Sequence, residues 1–371
     1  MQVEQYSFYR IETMKTTRLY TKATRAAWDA SAGLQDNGAK WDALRYQRDK
    51  DVVSPFMLST ASHRLSWKLR ICNLIVSIVC GFSTSAASAQ VTSSKVEIPV
   101  VGSKCNERVK EVTSVWGDLR IPIQQSGPLP AVVLLHSNAG IVGVGDFYAK
   151  ALNFAGIATL EVDSYTPRGV RNGNDRSAPV LCDRLQDAWG ALSFLSKDGR
   201  FNSQQIGVAG FSSGGAVAIM VGMGVRPARV PRQNDYLPKD LVYSAHFALY
   251  PGCANIMDDQ QRIRSWINPG RPQNWGTSGK PIHIVSGTAD DFDFDPKSDC
   301  LRMSKEFPEI VNQLSVRMID GATHGFDWPN PPPPSYSSFA KAQTGGLVTM
   351  RYSPLDSAVT QEEMVEFFKK R

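Results

Sequence analysis

This chain has little of what would tie it to a metal, a membrane or a nucleic acid. Its 371 residues hold six cysteines and five histidines, and none of them falls into a C-x-x-C pair or a His/Cys cluster with metal-ligand spacing. The apolar run Ile71 to Phe82 is short of the roughly 20 residues that a membrane helix needs. No internal repeat is present. A basic body is missing too. Residues 1–89 carry 12 Lys/Arg against 7 Asp/Glu, which leaves 29 against 28 in the rest, so the net charge of +6 belongs to the N-terminal segment. Nucleic-acid binding therefore has no electrostatic support.

What is present is a chain able to bury a large core, 42% hydrophobic and 20% charged. One α/β domain with a tail suits this length better than two equal domains. The tail has a recognisable order. Arg64, Lys68 and Arg70 precede the Ile71–Phe82 run, and small residues follow, ending in Ala87-Ser88-Ala89 before Gln90. A basic region, a short apolar stretch and an A-x-A site predict a secretory signal peptide over 57–89, with a signal anchor as the alternative. Met57 stands where such a peptide would start. The expectation is that residues 1–56 are a gene-model extension, that 90–371 form the domain, and that the protein is exported to the periplasm or secreted. Four cysteines then remain, Cys105, Cys182, Cys253 and Cys300. An even number permits disulfides in an exported protein. Cys253 and Cys300, each following a strand candidate, form the favoured pair, with four free thiols as the alternative.

Ala131-Val132-Val133-Leu134-Leu135 reads as a strand buried on both faces. Further strands are expected at 96–101, 108–115, 157–162, 206–209, 241–250, 282–285 and 315–319. Helical spacing covers 147–154, 180–197, 298–314 (broken or kinked at Pro308) and about 360–369. Alternating strands and helices predict a mostly parallel sheet covered on both sides.

Within that pattern Gly210-Phe211-Ser212-Ser213-Gly214 stands between an apolar strand and an apolar helix. The arrangement matches a G-x-S-x-G nucleophile elbow, in which glycines relieve a crowded turn and the serine projects alone; a glycine-rich packing turn is the competing reading. A serine hydroxyl needs a base. His63 lies in the tail, and His246 and His283 lie within strands. His136 is placed to shape a loop after the 131–135 strand. His324, in Gly321-Ala322-Thr323-His324-Gly325-Phe326, follows the last strand and is the expected base. Asp290 or Asp291, after the 282–285 strand, is the expected orienting acid, giving the order Ser, Asp, His. Backbone N–H groups of Ser213 and Ser137 are the expected oxyanion donors; Ser137 and Asn138 capping a turn is the alternative. Asp291, Asp293 and Asp295 mimic the start of a calcium loop, but Pro296 occupies the glycine position and no glutamate closes it. No metal or cofactor is expected.

Ser212, Asp290, His324, the His-Gly-Phe string and the 163–169 loop together resemble the dienelactone hydrolase family over residues 96–371, most closely its exported, serine-bearing members. The resemblance implies an α/β-hydrolase fold without a large separate lid. It implies that Arg168, in Asp163-Ser164-Tyr165-Thr166-Pro167-Arg168-Gly169, lies near a substrate carboxylate; a surface arginine paired with Asp163 or Asp175 is the alternative. Two residues depart from the pattern. Family enzymes carry a cysteine nucleophile where this chain has Ser212, and a glutamate where Ser137 stands. The expected substrate is thus a small-molecule carboxylic ester, lactone or thioester rather than dienelactone itself. A serine peptidase or amidase on the same scaffold, or a catalytically silent binding protein, is the alternative. Residues 251–279 and 329–350 are expected to rim the pocket.

Overall fold

A computed structural model describes residues 90–102, 104–123, 127–226, 240–258, 277–306 and 310–371. The expected extension, signal peptide and export signal all lie outside the described residues, as do Pro308 and positions 259–276 of the expected rim. No helix among the described residues is long and apolar enough to cross a membrane.

Eight strands form one sheet among those residues: β1 (Val91–Pro99), β2 (Ser114–Pro122), β3 (Leu129–Leu135), β4 (Ala158–Asp163), β5 (Phe201–Phe211), β6 (His246–Leu249), β7 (Ile282–Gly287) and β8 (Leu314–Ile319). Their order is β1-β2-β4-β3-β5-β6-β7-β8. β1 and β2 pair antiparallel, β2 meets β4 antiparallel, and every pairing from β4 through β8 is parallel. The continuous apolar run of β3 is explained by two cores. Ala131, Val133 and Leu135 point to one, and Val132 and Leu134 to the other, as the two-residue period of a strand requires.

Helices α1 (Val144–Phe154), α2 (Leu181–Ser196), α3 (Ser213–Gly222), α4 (Cys253–Asp258), α5 (Pro296–Glu306) and α6 (Pro354–Lys369) cover the sheet. Leu185, Trp189 and Leu192 of α2 join Val217 and Ile219 of α3 on one face, while Tyr148 and Leu152 of α1 join Met364 and Phe368 of α6 on the other. Each such large side chain contributes about 1.5–3 kcal/mol on burial. Trp189 is fully buried and its indole N–H donates to the Val225 carbonyl at 2.9 Å. Two disulfides pin helices from outside the sheet. Cys253–Cys300 links α4 to α5, and Cys105–Cys182 ties the segment after β1 to the first turn of α2.

Some expected elements sit elsewhere. The strand expected at 108–115 begins only at Ser114. Before it, the Asn106 side chain accepts the Arg108 N–H and the Asn106 carbonyl accepts that of Val109, curling the chain into a turn. The strand extends instead through Gly117, a residue that reads as a breaker. A Cβ there would lie 2.6 Å from Leu160 and 2.7 Å from Ile98, so glycine is what lets these three strands close up. The last helix starts at Pro354, where proline suits a first helical position. A hairpin of β9 (Ser335–Ser337) and β10 (Gly346–Val348) was not expected, because three-residue strands carry no usable period.

Because β3, β5, β6, β7 and β8 run parallel, the loops leaving their C-terminal ends gather at one edge of the sheet. In open α/β sheets that edge is where ligands bind.

Candidate active site

Ser212 sits between β5 and α3 with φ 52° and ψ −119°, a conformation that costs a non-glycine residue about 1–3 kcal/mol. Neighbouring hydrogen bonds hold it there. Its N–H donates to the Leu249 carbonyl at 2.9 Å, and its carbonyl accepts the Ala216 N–H at 3.0 Å. The flanking glycines are required by space. A Cβ on Gly210 would lie 2.1 Å from the Gly214 carbonyl oxygen, and one on Gly214 would lie 2.1 Å from that of Leu135.

The structure brings His324 and Asp290 to this serine. His324 Nε2 lies 2.8 Å from Ser212 Oγ, and His324 Nδ1 lies 2.8 Å from Asp290 Oδ2. The partners fix the roles: Nδ1–H donates to the carboxylate, leaving Nε2 to accept the serine proton. The loop after β7 is held against the loop after β8. The Ala289 N–H donates to the Ala322 carbonyl at 3.0 Å, and a Cβ on Gly287 would strike that same oxygen at 1.9 Å. Asp290 Oδ1 accepts the Phe292 N–H at 2.9 Å, which orients the carboxylate. Of the two candidate acids, Asp291 turns away: its Oδ2 accepts the Thr349 N–H at 2.9 Å. The 329–350 segment adjoins the acid loop here, with the Lys341 and Ala342 N–H groups donating to the carbonyls of Asp291 and Phe292.

Aromatic rings wall the imidazole. Phe292 lies 4.3 Å and Tyr250 4.8 Å from His324, centroid to centroid. Tyr250 in turn donates to Asp327 Oδ1 at 2.6 Å, and Tyr148 donates to Asp327 Oδ2 at 2.8 Å. Burial pushes the Asp327 carboxyl up to about 6, while the two phenol donors pull it back down. Sequence reading missed this support; the only signal was an aspartate three residues after the base.

The two expected oxyanion donors are Ser213, next to Ser212 in the chain, and Ser137, in the loop after β3. The first N–H groups of a helix have no intrahelical acceptor, and Ser213 opens α3. Ser137 begins the tight turn after β3, where its Oγ accepts the Ala139 N–H at 3.2 Å and its carbonyl accepts that of Gly140 at 3.1 Å. His136 shapes this loop. Its Nδ1–H donates to the Ser137 carbonyl at 2.6 Å and its Nε2 accepts the Ser164 N–H at 3.3 Å. Burial, reinforced by the nearby Arg184 cation, lowers His136 to about 3, so it stays neutral. Beside the loop runs a cleft of about 370 Å³ lined by Gly140, Ile141, Tyr165, Val170 and Arg171 among others.

Arg168 is not brought to this site. Its guanidinium is buried, donates twice to Asp187 at 2.8 Å and once to the Ser164 carbonyl at 2.8 Å. The expectation that it faces a substrate carboxylate is corrected by that fork, which leaves it occupied within the fold. The alternative pairing is absent as well, since Asp163 accepts the Tyr165 and Thr166 N–H groups and Asp175 accepts from Ser177. His246 is buried against the Pro281 carbonyl at 3.0 Å, and burial lowers it to about 4. His283 bridges Ser315 and Glu363. Among the described residues, Cys253, Asp293 and Cys300 are close enough to suggest a metal site, but their sulfurs are bonded to each other. Asp293 accepts the N–H groups of Cys253 and Ala254 instead.

No family model and no curated protein matches the sequence. Solved structures do match. A structure assigned as a dienelactone hydrolase from Klebsiella pneumoniae superposes with a TM-score of 0.50 at 13% identity, covering 76% of this chain and all 100% of its own. Esterase 2 of Thermogutta terrifontis gives 0.49 at 19% identity over 74% of this chain and 96% of that one. A dienelactone hydrolase-like promiscuous phosphotriesterase from metagenomic libraries gives 0.49 at 16% identity, over 76% and 98%. The Klebsiella likeness and the strand order together show an α/β-hydrolase fold.

Proposed function

We propose that this protein is a serine hydrolase that cleaves small carboxylic esters through a covalent acyl-enzyme. The observation that carries the reading is the unbroken relay of two 2.8 Å contacts, Ser212 Oγ to His324 Nε2 and His324 Nδ1 to Asp290 Oδ2. Fold alone would not choose this activity.

In the proposed reaction His324 takes the hydroxyl proton as Ser212 attacks the ester carbonyl. Asp290 keeps the imidazole in the required tautomer and stabilises the imidazolium. The backbone N–H groups of Ser213 and Ser137 receive the oxyanion, each donor being worth about 10²–10³ in rate. His324 returns its proton to the departing alkoxide. It then deprotonates a water that attacks the acyl-enzyme, and Ser212 is restored as the acid leaves. Lactones and thioesters present the same electrophilic carbonyl and are included in the proposed substrate class. Two disulfides support an oxidising compartment, consistent with export to the periplasm or beyond.

The test is turnover of short p-nitrophenyl esters by wild type and Ser212→Ala, beside matched anilides. Ester turnover abolished in a folded Ser212→Ala protein is the expected result. Turnover that survives the substitution, or faster cleavage of the anilides than of the esters, would overturn the reading.

A further inference from the structure

Arg184, on α2, is a buried cation beneath the oxyanion side of the site. Only 3% of it is exposed. Its Nη1 donates to Ser213 Oγ at 2.6 Å, and its Nη2 donates to the carbonyl oxygen of His136. The guanidinium carbon lies 5.5 Å from the centre of the Tyr165 ring. Its Nε, fully buried, has no partner. Asp187, one turn along the same helix, gives both carboxylate oxygens to Arg168. Arg184 is therefore fixed by one hydroxyl, one carbonyl and one ring; no carboxylate is hydrogen-bonded to it, and the attraction of Asp187 is opposed by the Arg168 cation beside it.

One atom it grips belongs to Ser213, and the other to the peptide unit that carries the Ser137 N–H, the two donors of the mechanism above. The His136 carbonyl belongs to the same peptide unit as the Ser137 N–H, and in a trans peptide the carbonyl and the N–H point in opposite directions. A donor that holds the carbonyl on the α2 side thus holds the N–H on the other. Gly214 lets the groups approach, since a Cβ there would lie 2.5 Å from the His136 carbonyl oxygen.

We propose that Arg184 is a positioning residue of the oxyanion hole, clamping the 136–137 peptide and Ser213 and placing a fixed positive charge behind both donors. The inference rests on the hydrolase reading. A buried charge with no hydrogen-bonded counter-ion destabilises the fold unless something compensates it; a negative charge that develops on the substrate oxygen adds such a partner in the transition state. The groups around it compensate it only in part. His136 is neutral, Tyr165 is a phenol with its hydroxyl on Asn138, and Asp187 is held by Arg168.

The test compares wild type with Arg184→Met, Arg184→Lys and Ser213→Ala, using p-nitrophenyl acetate as substrate and phenylboronic acid as a tetrahedral analogue. Arg184→Met should lower kcat by about 10- to 100-fold, below the full effect of deleting a donor. KM should stay within about twofold, and boronate affinity should weaken in step with kcat. The pH dependence of kcat/KM should keep its shape, because His324 is untouched; a general loosening of the site would move KM and that profile as well. Arg184→Lys should recover part of the loss. Wild-type kcat and boronate affinity in folded Arg184→Met would overturn the inference. If that variant does not fold, wild-type values in both Arg184→Lys and Ser213→Ala overturn it instead. Failure of the hydrolase reading is separately visible, as absent wild-type turnover or turnover that survives Ser212→Ala.

Discussion

The Tyr250 hydroxyl donates to Asp327 at 2.6 Å while its ring stands edge-on to the His324 imidazole at 4.8 Å. One side chain thus connects a buried carboxylate to the base without hydrogen-bonding to the proton relay. Tyr250 holds φ 37° immediately after β6, so the strand end itself aims the ring. Tyr250→Phe keeps the ring and deletes the donor, leaving Asp327 with Tyr148. The expected result is a stability loss of about 1–2 kcal/mol in urea unfolding, with kcat for an ester changed by less than about threefold. A large fall in kcat with unchanged stability would contradict this division of labour.

The two adjacent aspartates should separate cleanly. Asp290 meets His324, and Asp291 meets the Thr349 N–H. Asp290→Asn should lower kcat by about three to four orders of magnitude through the wrong imidazole tautomer. Asp291→Asn should cost about 0.5–1.5 kcal/mol of stability and leave kcat nearly unchanged. Steady-state kinetics of the two purified variants decides between them, and equal losses would refute the assignment.

Glu161 lies on β4 against the start of α1, with Gly145 so close that a Cβ there would meet Glu161 Oε1 at 2.1 Å. Burial pushes its carboxyl up to about 7, with Arg120 pulling the other way. The folded value lies above the unfolded one, so the folded state binds the extra proton and wild-type stability falls as pH rises from about 4.5 to about 7. Glu161→Gln removes this pH dependence. Its stability relative to wild type should therefore rise between pH 5 and pH 8, by at most on the order of 3 kcal/mol. Unfolding free energies of both proteins at the two pH values check this; a constant difference would contradict it.

Much of this arrangement was legible in the sequence because the chemistry sits at strand ends, and strand ends are marked. Apolar runs located β3, β5, β7 and β8, and the polar residues just beyond them located His136, Ser212, Asp290 and His324. The choice between Asp290 and Asp291 was not legible, since adjacent loop residues differ only in the direction the backbone turns them. Arg168 misled for a related reason. Its loop position was readable, but its partner Asp187 lies on another element, and ion pairing across elements leaves no local pattern. Arg184 was hidden within a helix whose spacing explained its place as one of the charges between apolar positions. Gly117 concealed most of β2, because its value lies in the approach of Leu160 and Ile98 rather than in any local preference.

The most direct test of the central claim is covalent labelling of the intact protein by a fluorophosphonate, with the modified residue located by peptide mass spectrometry. The account predicts one adduct, on Ser212, absent from Ser212→Ala and formed at least about 100-fold more slowly in folded His324→Ala. An adduct on another residue, or equal labelling of Ser212→Ala, would contradict it.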